Sequence, residues 1–374
     1  MKFIHISDLH LGKRLYETSL IEDQQVILKE ILDIIDAEAP AGILVAGDVY
    51  DKSMPSAEAV SLFDWFLAQL AKRRLQVFII SGNHDSPERI AFGSRIMDEV
   101  GIHLSPVYGG KITPTTLTDE EGEVNVYMLP FVKPSHVRRF FEGEQIESYT
   151  DALKVAVDKM NVDPAKRNIL ITHQFVTGAS RSDSEESVGG TDNVDAAVFD
   201  VFDYVALGHL HGPQFCGNKK IRYSGTPLCY SFAEAADTKS VTVVTLNKKG
   251  EEPQIKTVEL HPLRGMKRLR GTFDELISSS KRTEDYVQIT LTDEEDIPNA
   301  MNRLRVVYPN ALELKYDNAR TRANAVIYGV EDAERKTTFE LFSEFFAERN
   351  NTPMNELQEE YIKNLIEKIE EEDA

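Results

Sequence analysis

Apolar positions along the chain follow two alternating patterns. Short runs, "KFIHIS", "GILVAG" and "VFIISG", have the length of buried strands. Each precedes a stretch with apolar residues at three- and four-residue spacing: "LIEDQQVILKEILDIIDAEA", "AEAVSLFDWFLAQLAKR" and "ERIAFGSRIMDEVG". This alternation predicts an α/β layer architecture. Further on, "VNVYMLPF", "NILITHQ", "YVALGHLH", "IRYSGTPL" and "SVTVVTL" are strand-rich with short connections. They predict a second sheet packed on the first, with helices outside. No internal repeat is visible. The Gly-, Ser- and acid-rich stretch from Thr177 to Asn193 reads as a mobile loop or linker.

Near Leu263 the pattern changes. Residues 263–332 read as strand, helix, strand, helix, strand, a small separate α/β module. From 333 to 374 the pattern is helical, with Phe339, Phe342 and Phe346 on one face, then Leu357, Tyr361, Leu365 and Ile369 at four-residue spacing. Residues 1–262 remain as the large catalytic unit. A chain of 374 residues, 41% of them hydrophobic, is long enough to bury such a core beside smaller modules.

Charge and cysteine content narrow the picture. The net charge of −20 argues against binding a polyanion over the whole surface but allows local contact. Much of it is concentrated: eight acidic residues lie between Glu356 and Asp373, against only Lys363 and Lys368. Cys216 and Cys229 form no C-x-x-C pair and read as packing residues in a reduced, cytoplasmic setting. The opening "MKFIHIS" lacks the features of a signal peptide, and no apolar run has the roughly 20 residues of a membrane helix, so no membrane role is expected.

The chemistry lies where the strands end. Asp8 and His10 follow the first strand; i and i+2 in an extended segment share a side, so both could reach one ion. His209 and His211 repeat the spacing. Asp48 ends "GILVAGD", Asn83 and His84 follow "VFIISG", and His173 ends "NILITH". Open α/β sheets bind ligands at this strand edge. Five of the nine histidines fall in these motifs. A set of Asp, Asn and His without Cys suits Mn, Fe or Zn better than a thiolate site. Two divalent ions, only partly neutralised by Asp8 and Asp48, would attract a phosphoester and turn a water between them into hydroxide near neutral pH.

The series "DLH", "GDVYD", "GNHD", "THQ" and "GHLH" resembles the motif set of the calcineurin-like metallophosphoesterases. The longer strings "HISDLHLGKRL", "VAGDVYDKSMPS", "SGNHDSPERI", "FDYVALGHLHGPQ" and "IRYSGTPLCYSFAEA" resemble the SbcD family of bacterial nuclease subunits over roughly the first 245 residues. The resemblance implies two packed mixed β-sheets flanked by helices, with a small α/β capping domain and C-terminal helices. It implies one metal, Mn2+ by preference, on Asp8, His10, Asp48 and His211, and a second on Asp48, Asn83, His173 and His209. His84 would then sit over the scissile phosphate as proton donor or charge stabiliser, with Asp85 as a supporting residue. Archaeal and eukaryotic relatives carry a second histidine at the position of Asp51, whose part here is either chemical or a structural turn.

The implied activity is a Mn-dependent DNA endo- and exonuclease, the catalytic half of an ATP-driven complex with an SbcC ATPase. Such complexes open hairpins and blocked ends in repair, recombination and replication. The ATPase is not in this chain, which has no G-x-x-x-x-G-K-[ST]. Lys13 and Arg14 are candidate DNA contacts, as are Arg264, Lys267, Arg268 and Arg270, followed by Lys281 and Arg282; for this basic stretch a solvated edge strand is the other reading. The C-terminal helices either pack on their own core or dock on the coiled-coil base of SbcC. A homodimer through the helices Ala57 to Lys72 and Glu88 to Val100 is also implied, with Trp65 and Phe66 either interface or core. The alternatives are another metallophosphoesterase, such as a phosphatase or cyclic-nucleotide phosphodiesterase, and a non-catalytic DNA or partner scaffold.

Overall fold

The computed structural model describes residues 1–180, 193–278, 282–322, 338–350, 352–355, 357–359, 361–363 and 365–366. The chain forms two compact units, one of Met1–Glu185 with Thr191–Leu263, the other centred on Arg264–Ala374.

The first unit is built on two six-stranded mixed sheets. In one, the order is Gln254–Glu259, Ser240–Thr245, Lys2–Ile6, Gly42–Ala46, Gln76–Ile80, Ile102–Leu104. In the other it is Gln214–Cys216, Asn218–Tyr223, Tyr204–Gly208, Arg167–His173, Gly122–Leu129, Thr115–Asp119. The middle strands of each sheet run parallel and the outer hairpins antiparallel. Parallel strands buried on both faces need continuous apolar runs, which explains why "GILVA" is buried at every position. Alternate residues of the two sheets interdigitate between them: Phe3, Leu44, Ala46, Phe78 and Ile80 from one, Val126, Ile169, Ile171, Tyr204 and Ala206 from the other. Each Val, Leu, Ile or Phe among them contributes about 1.5–3 kcal/mol on burial.

Helices cover the outer faces. Ile21–Glu38 buries Ile27, Leu28, Ile31, Leu32 and Ile35, and Ala57–Lys72 buries Leu62, Phe63, Phe66, Leu67 and Leu70. The second starts at Ser56, whose hydroxyl accepts from the Ala59 N–H at 3.2 Å. Phe66 is core and Trp65 is partly exposed, which separates two residues that sequence left together. The expected single helix from Glu88 to Val100 is instead two short ones, Pro87–Ile90 and Ser94–Asp98. Gly93 between them has φ +75°, a left-handed conformation that ends a helix.

The second unit has a parallel three-stranded sheet, Met266–Gly271, Tyr286–Leu291 and Ala311–Tyr316 in that order, joined through helices Phe273–Ser278 and Ala300–Arg305. Its core packs Val287, Ile289 and Leu291 against Phe273, Leu276, Leu304 and Tyr308. A helix, Thr338–Asn350, follows, and residues 357–359, 361–363 and 365–366 are also helical. Residues 181–192 of the Thr177 to Asn193 stretch, Lys281, Ile369 and the stretch around residue 333 lie outside the described residues.

Candidate metal centre

The strand ends lie close enough, between the sheets at Gly208 and within one sheet at Gly82, that only glycine fits at these positions. A methyl group at Gly208, which ends the strand Tyr204–Gly208, would collide with the Ala46 carbonyl; one at Gly82 would strike the Asp48 carboxylate. Absent side chains at these positions let loops from both sheets converge on one space.

The ligand-type residues leave their strands with left-handed backbones: φ is 53° at Asp8, 42° at His10, 48° at Asp48 and 110° at His209. The extended i, i+2 geometry expected for Asp8/His10 and His209/His211 is therefore not what is found. The strands stop at Ile6 and Gly208, and the loops are held by cross-loop hydrogen bonds. Asp8 N–H donates to the Gly47 carbonyl at 3.0 Å, His10 N–H to the Asp48 carbonyl at 3.0 Å, and His209 N–H to Asp8 Oδ1 at 3.0 Å. Non-glycine residues at positive φ are uncommon and need such over-determination, and they collect at functional sites.

Six of the seven ligand candidates surround the seventh, Asp48. His10 Nε2 lies 3.7 Å from Asp48 Oδ2, and the His10 and His211 rings are 5.3 Å apart. On the other side His173 Nε2 is 3.3 Å from Asp48 Oδ2 and 2.9 Å from Asn83 Oδ1, which also lies 3.0 Å from His209 Nδ1. Asp8, Asp48 and His173 bring ligand atoms within 4.8 Å of one another, and so do His10, Asp48 and His84. These residues fit divalent ions on direct grounds. Among the described residues, both ring nitrogens of His10 are buried without a hydrogen-bond partner. Histidine and carboxylate donors converge from five chain segments, and His173 Nδ1 donates to the Ala46 carbonyl at 2.8 Å, which leaves Nε2 to bind.

The electrostatics match a centre built for cations. Burial pushes Asp8 up to about 6, helped by the Asp48 charge and opposed by His173. Burial would raise Asp48 as well, yet His173, with His84 and His10, holds it well below the usual carboxylate range. Burial works against a charge on His173, but Asp48 raises that imidazole to about 9. His10 is driven well below its ordinary value by burial. The protein thus balances buried carboxylate with an imidazolium proton, the position a metal ion would take.

"GNHD" divides by exposure: Asn83 is half-buried, His84 exposed and Asp85 buried. His84 Nδ1 donates to the Asp51 carbonyl at 3.0 Å, leaving Nε2 available, and its ring meets His10 edge-on at 4.9 Å. Asp85 accepts from the N–H groups of Val49, Tyr50 and Gly82 at 3.0, 2.9 and 2.9 Å, tying the Asp48 loop to the Asn83 loop. Burial and the Asp48 charge push Asp85 up to about 6 against those three donors. Asp51 is ion-paired with Lys13 at 2.8 Å and lies 3.9 Å from His10 Nδ1. Arg14 donates to the Glu17 carbonyl. In the second unit Lys267 pairs with Asp285 at 2.6 Å and Arg270 with Asp317, Arg264 lies over the Tyr286 ring, and Arg268 is exposed.

Sequence reasoning passed over Gln24, Tyr230 and Glu234. Gln24 Nε2 donates to the Leu9 and His10 carbonyls and its Oε1 accepts from the Gly12 N–H; the Tyr230 hydroxyl also donates to the Leu9 carbonyl. Gln24 and Tyr230 thus hold the Asp8–His10 loop from behind. "CYSFAEA" carries part of the family resemblance, but nothing local marks its Tyr and Glu as near the site.

Fold and site together define a calcineurin-like phosphoesterase, a metal-dependent phosphodiesterase and hydrolase. The family model of that description matches residues 1–213. A further family model, SbcD_C, described as the type 5 capsule protein repressor C-terminal domain, matches residues 262–350. The chain is 32% identical over 380 residues to the SbcD subunit of the nuclease SbcCD from Staphylococcus epidermidis, covering 98% of each chain. It belongs to the SbcD branch of the calcineurin-like phosphoesterase family. Among solved structures it is similar to a dimetal phosphatase from Danio rerio (12% identity, TM-score 0.40, 70% of this chain and 98% of that one). A protein from Thermus thermophilus is also similar (10% identity, TM-score 0.39, 68% and 98%).

Proposed function

We propose that the chain is the nuclease subunit of an SbcCD-type complex, cleaving DNA phosphodiesters with Mn2+ at the centre around Asp48, as endo- and exonuclease, on hairpins and blocked double-strand ends. The observation that carries this is the gathering of six O- and N-donor side chains around Asp48 in a chain matching a nuclease subunit over 98% of its length.

Asp8, His10, Asp48 and His211 would hold one ion, and Asp48, Asn83, His173 and His209 the other. Bound there, the ions supply Lewis acidity toward the phosphoryl oxygens and a nucleophile drawn from water. The chain's own contribution is positioning and proton handling. Asp48 links the two halves, and the neutral Asn83 adds a ligand without removing positive charge. His84, steadied by the Asp51 carbonyl at 3.0 Å, presents Nε2 to the scissile phosphate and assists the leaving oxygen. Asp85 keeps the Asp48 and Asn83 loops in register.

Binding to the rest of the complex rests on other surfaces. Phe92 and Ile96 are 85% and 77% exposed, and Val100, Met54 and Val60 are exposed too; these apolar side chains in and beside the helices named for the homodimer are suited to such an interface. Leu341, Phe345, Leu357, Tyr361 and Leu365 on the C-terminal helical segments are exposed as well and offer apolar anchors to an SbcC coiled coil. Lys13, Arg14, Arg264, Lys267, Arg268 and Arg270 are the proposed phosphate contacts. The ion pairs of Lys13, Lys267 and Arg270 mean that DNA phosphate must compete with Asp51, Asp285 and Asp317. No helix among the described residues is long and apolar enough to cross a membrane, and cytoplasmic placement is part of this proposal. Turnover of a DNA hairpin and of a small phosphodiester in Mn2+ tests the reading: preference for the hairpin supports it, and hydrolysis of the small ester alone overturns it.

A further inference from the structure

Glu234 is fully buried at the end of the short 3-10 turn Phe232–Glu234, yet it is surrounded by polar groups. Its Oε1 lies 3.1 Å from His211 Nδ1 and accepts from the Ser231 hydroxyl at 3.2 Å. Its Oε2 accepts from Lys239 Nζ at 2.6 Å, the Thr226 hydroxyl at 3.3 Å and the Tyr230 N–H at 3.4 Å. Lys239, itself 4% exposed, also donates to the His211 carbonyl at 3.1 Å, and the Thr226 N–H donates to that carbonyl at the same distance. His211 is therefore gripped at its ring and its backbone by one buried network.

A carboxylate can only accept, so the contact to Nδ1 requires the proton on that nitrogen and leaves the lone pair on Nε2, in a ring whose centroid lies 5.3 Å from that of His10. A buried ion pair is costly to assemble and weak evidence for stability, so its presence here calls for another reason. We infer that Glu234 is the positioning residue for His211: with Lys239 as its counter-charge, it fixes the ring's tautomer and orientation for the ion on the Asp8–His10 side. His173 has its Nδ1 held by the neutral Ala46 carbonyl instead, so the two halves of the centre differ in the charge behind a histidine ligand. The inference rests on the proposed ligand role of His211.

The test is Mn2+ titration of the metal-free full-length protein by calorimetry, with thermal melting of the same samples. The variants are Glu234→Gln, Glu234→Gln/Lys239→Met, which leaves no unpaired buried charge, His211→Asn, and His211→Asn/Glu234→Gln. Both Glu234 variants are expected to stay folded and to bind one of two ions about 10- to 100-fold more weakly, the usual effect of losing a partner behind a ligand. Combined with His211→Asn, Glu234→Gln is expected to add nothing. Wild-type affinity for both ions in the two Glu234 variants overturns the inference, and so does an undiminished extra loss in the His211→Asn background. If His211→Asn alone leaves both ions tightly bound, the ligand role of His211 fails and the inference with it.

Discussion

Asp85→Asn would remove the charge from a buried hydrogen-bonding hub. The carboxylate accepts three backbone N–H groups, from Val49, Tyr50 and Gly82, at 2.9–3.0 Å in a buried setting. An amide oxygen with two lone pairs can serve at most two of them, and its NH2 would face the third N–H, donor to donor. Hydrogen bonds to a charged acceptor are worth about 1.5–3 kcal/mol each, and an orphaned buried N–H costs about 1–3 kcal/mol. Relief from burying a carboxylate, visible in its rise to about 6, offsets part of this. A net loss of about 2–4 kcal/mol follows, roughly 4–16 °C in Tm for a unit of this size. Urea unfolding of the metal-free protein measures it. Because Asp85 joins the loops of Asp48 and Asn83, Mn2+ affinity should fall in parallel. A stability change below about 0.5 kcal/mol, the range of an ordinary surface substitution, with metal affinity intact, would refute the clamp role.

Other outcomes follow from the same geometry. With His173 raised to about 9, its proton is bound at neutral pH and must leave when the imidazole becomes a ligand. Mn2+ binding should therefore release about one proton there, read from calorimetry in buffers of different ionisation enthalpy, and His173→Asn should abolish it. The sign extends to stability. A raised folded-state value stabilises the metal-free protein fully below about 6.5, and this is lost as pH rises through about 9, so metal affinity should climb across that window. Deleting the chain from Ala333 onward should leave Mn2+-dependent cleavage of single-stranded DNA intact and abolish co-purification with SbcC; retained co-purification would exclude docking through these helices.

Much of this was legible in the sequence because strands and chemistry coincide. Buried parallel strands read as unbroken apolar runs, and the polar residues closing them, Asp8, Asp48, Asn83, His173 and His209, stood out against that background. Four features were not legible, for physical reasons. The left-handed turns at Asp8, His10 and Asp48 depend on cross-loop hydrogen bonds that local spacing does not encode. The break at Gly93 was hidden inside a sequence with helical periodicity. Glu234, 23 residues from His211, meets it only because the chain crosses from the second sheet back to the first. Pairing of Lys267 and Arg270 with Asp285 and Asp317 was likewise invisible, since the acids come from other segments of the unit.

In the proposed mechanism, metal binding and action on the phosphate are divided between neighbours, Asn83 on the ion and His84 on the substrate. His84 is also near enough to His10 and Asp48 to compete as a ligand. Measuring Mn2+ stoichiometry and hairpin DNA cleavage on one preparation of His84→Gln decides between these roles. Two ions should remain bound as in the unsubstituted protein, with cleavage reduced at least about 100-fold, the scale of a lost proton-transfer group. Metal content falling together with activity would make His84 a ligand and end the division of roles.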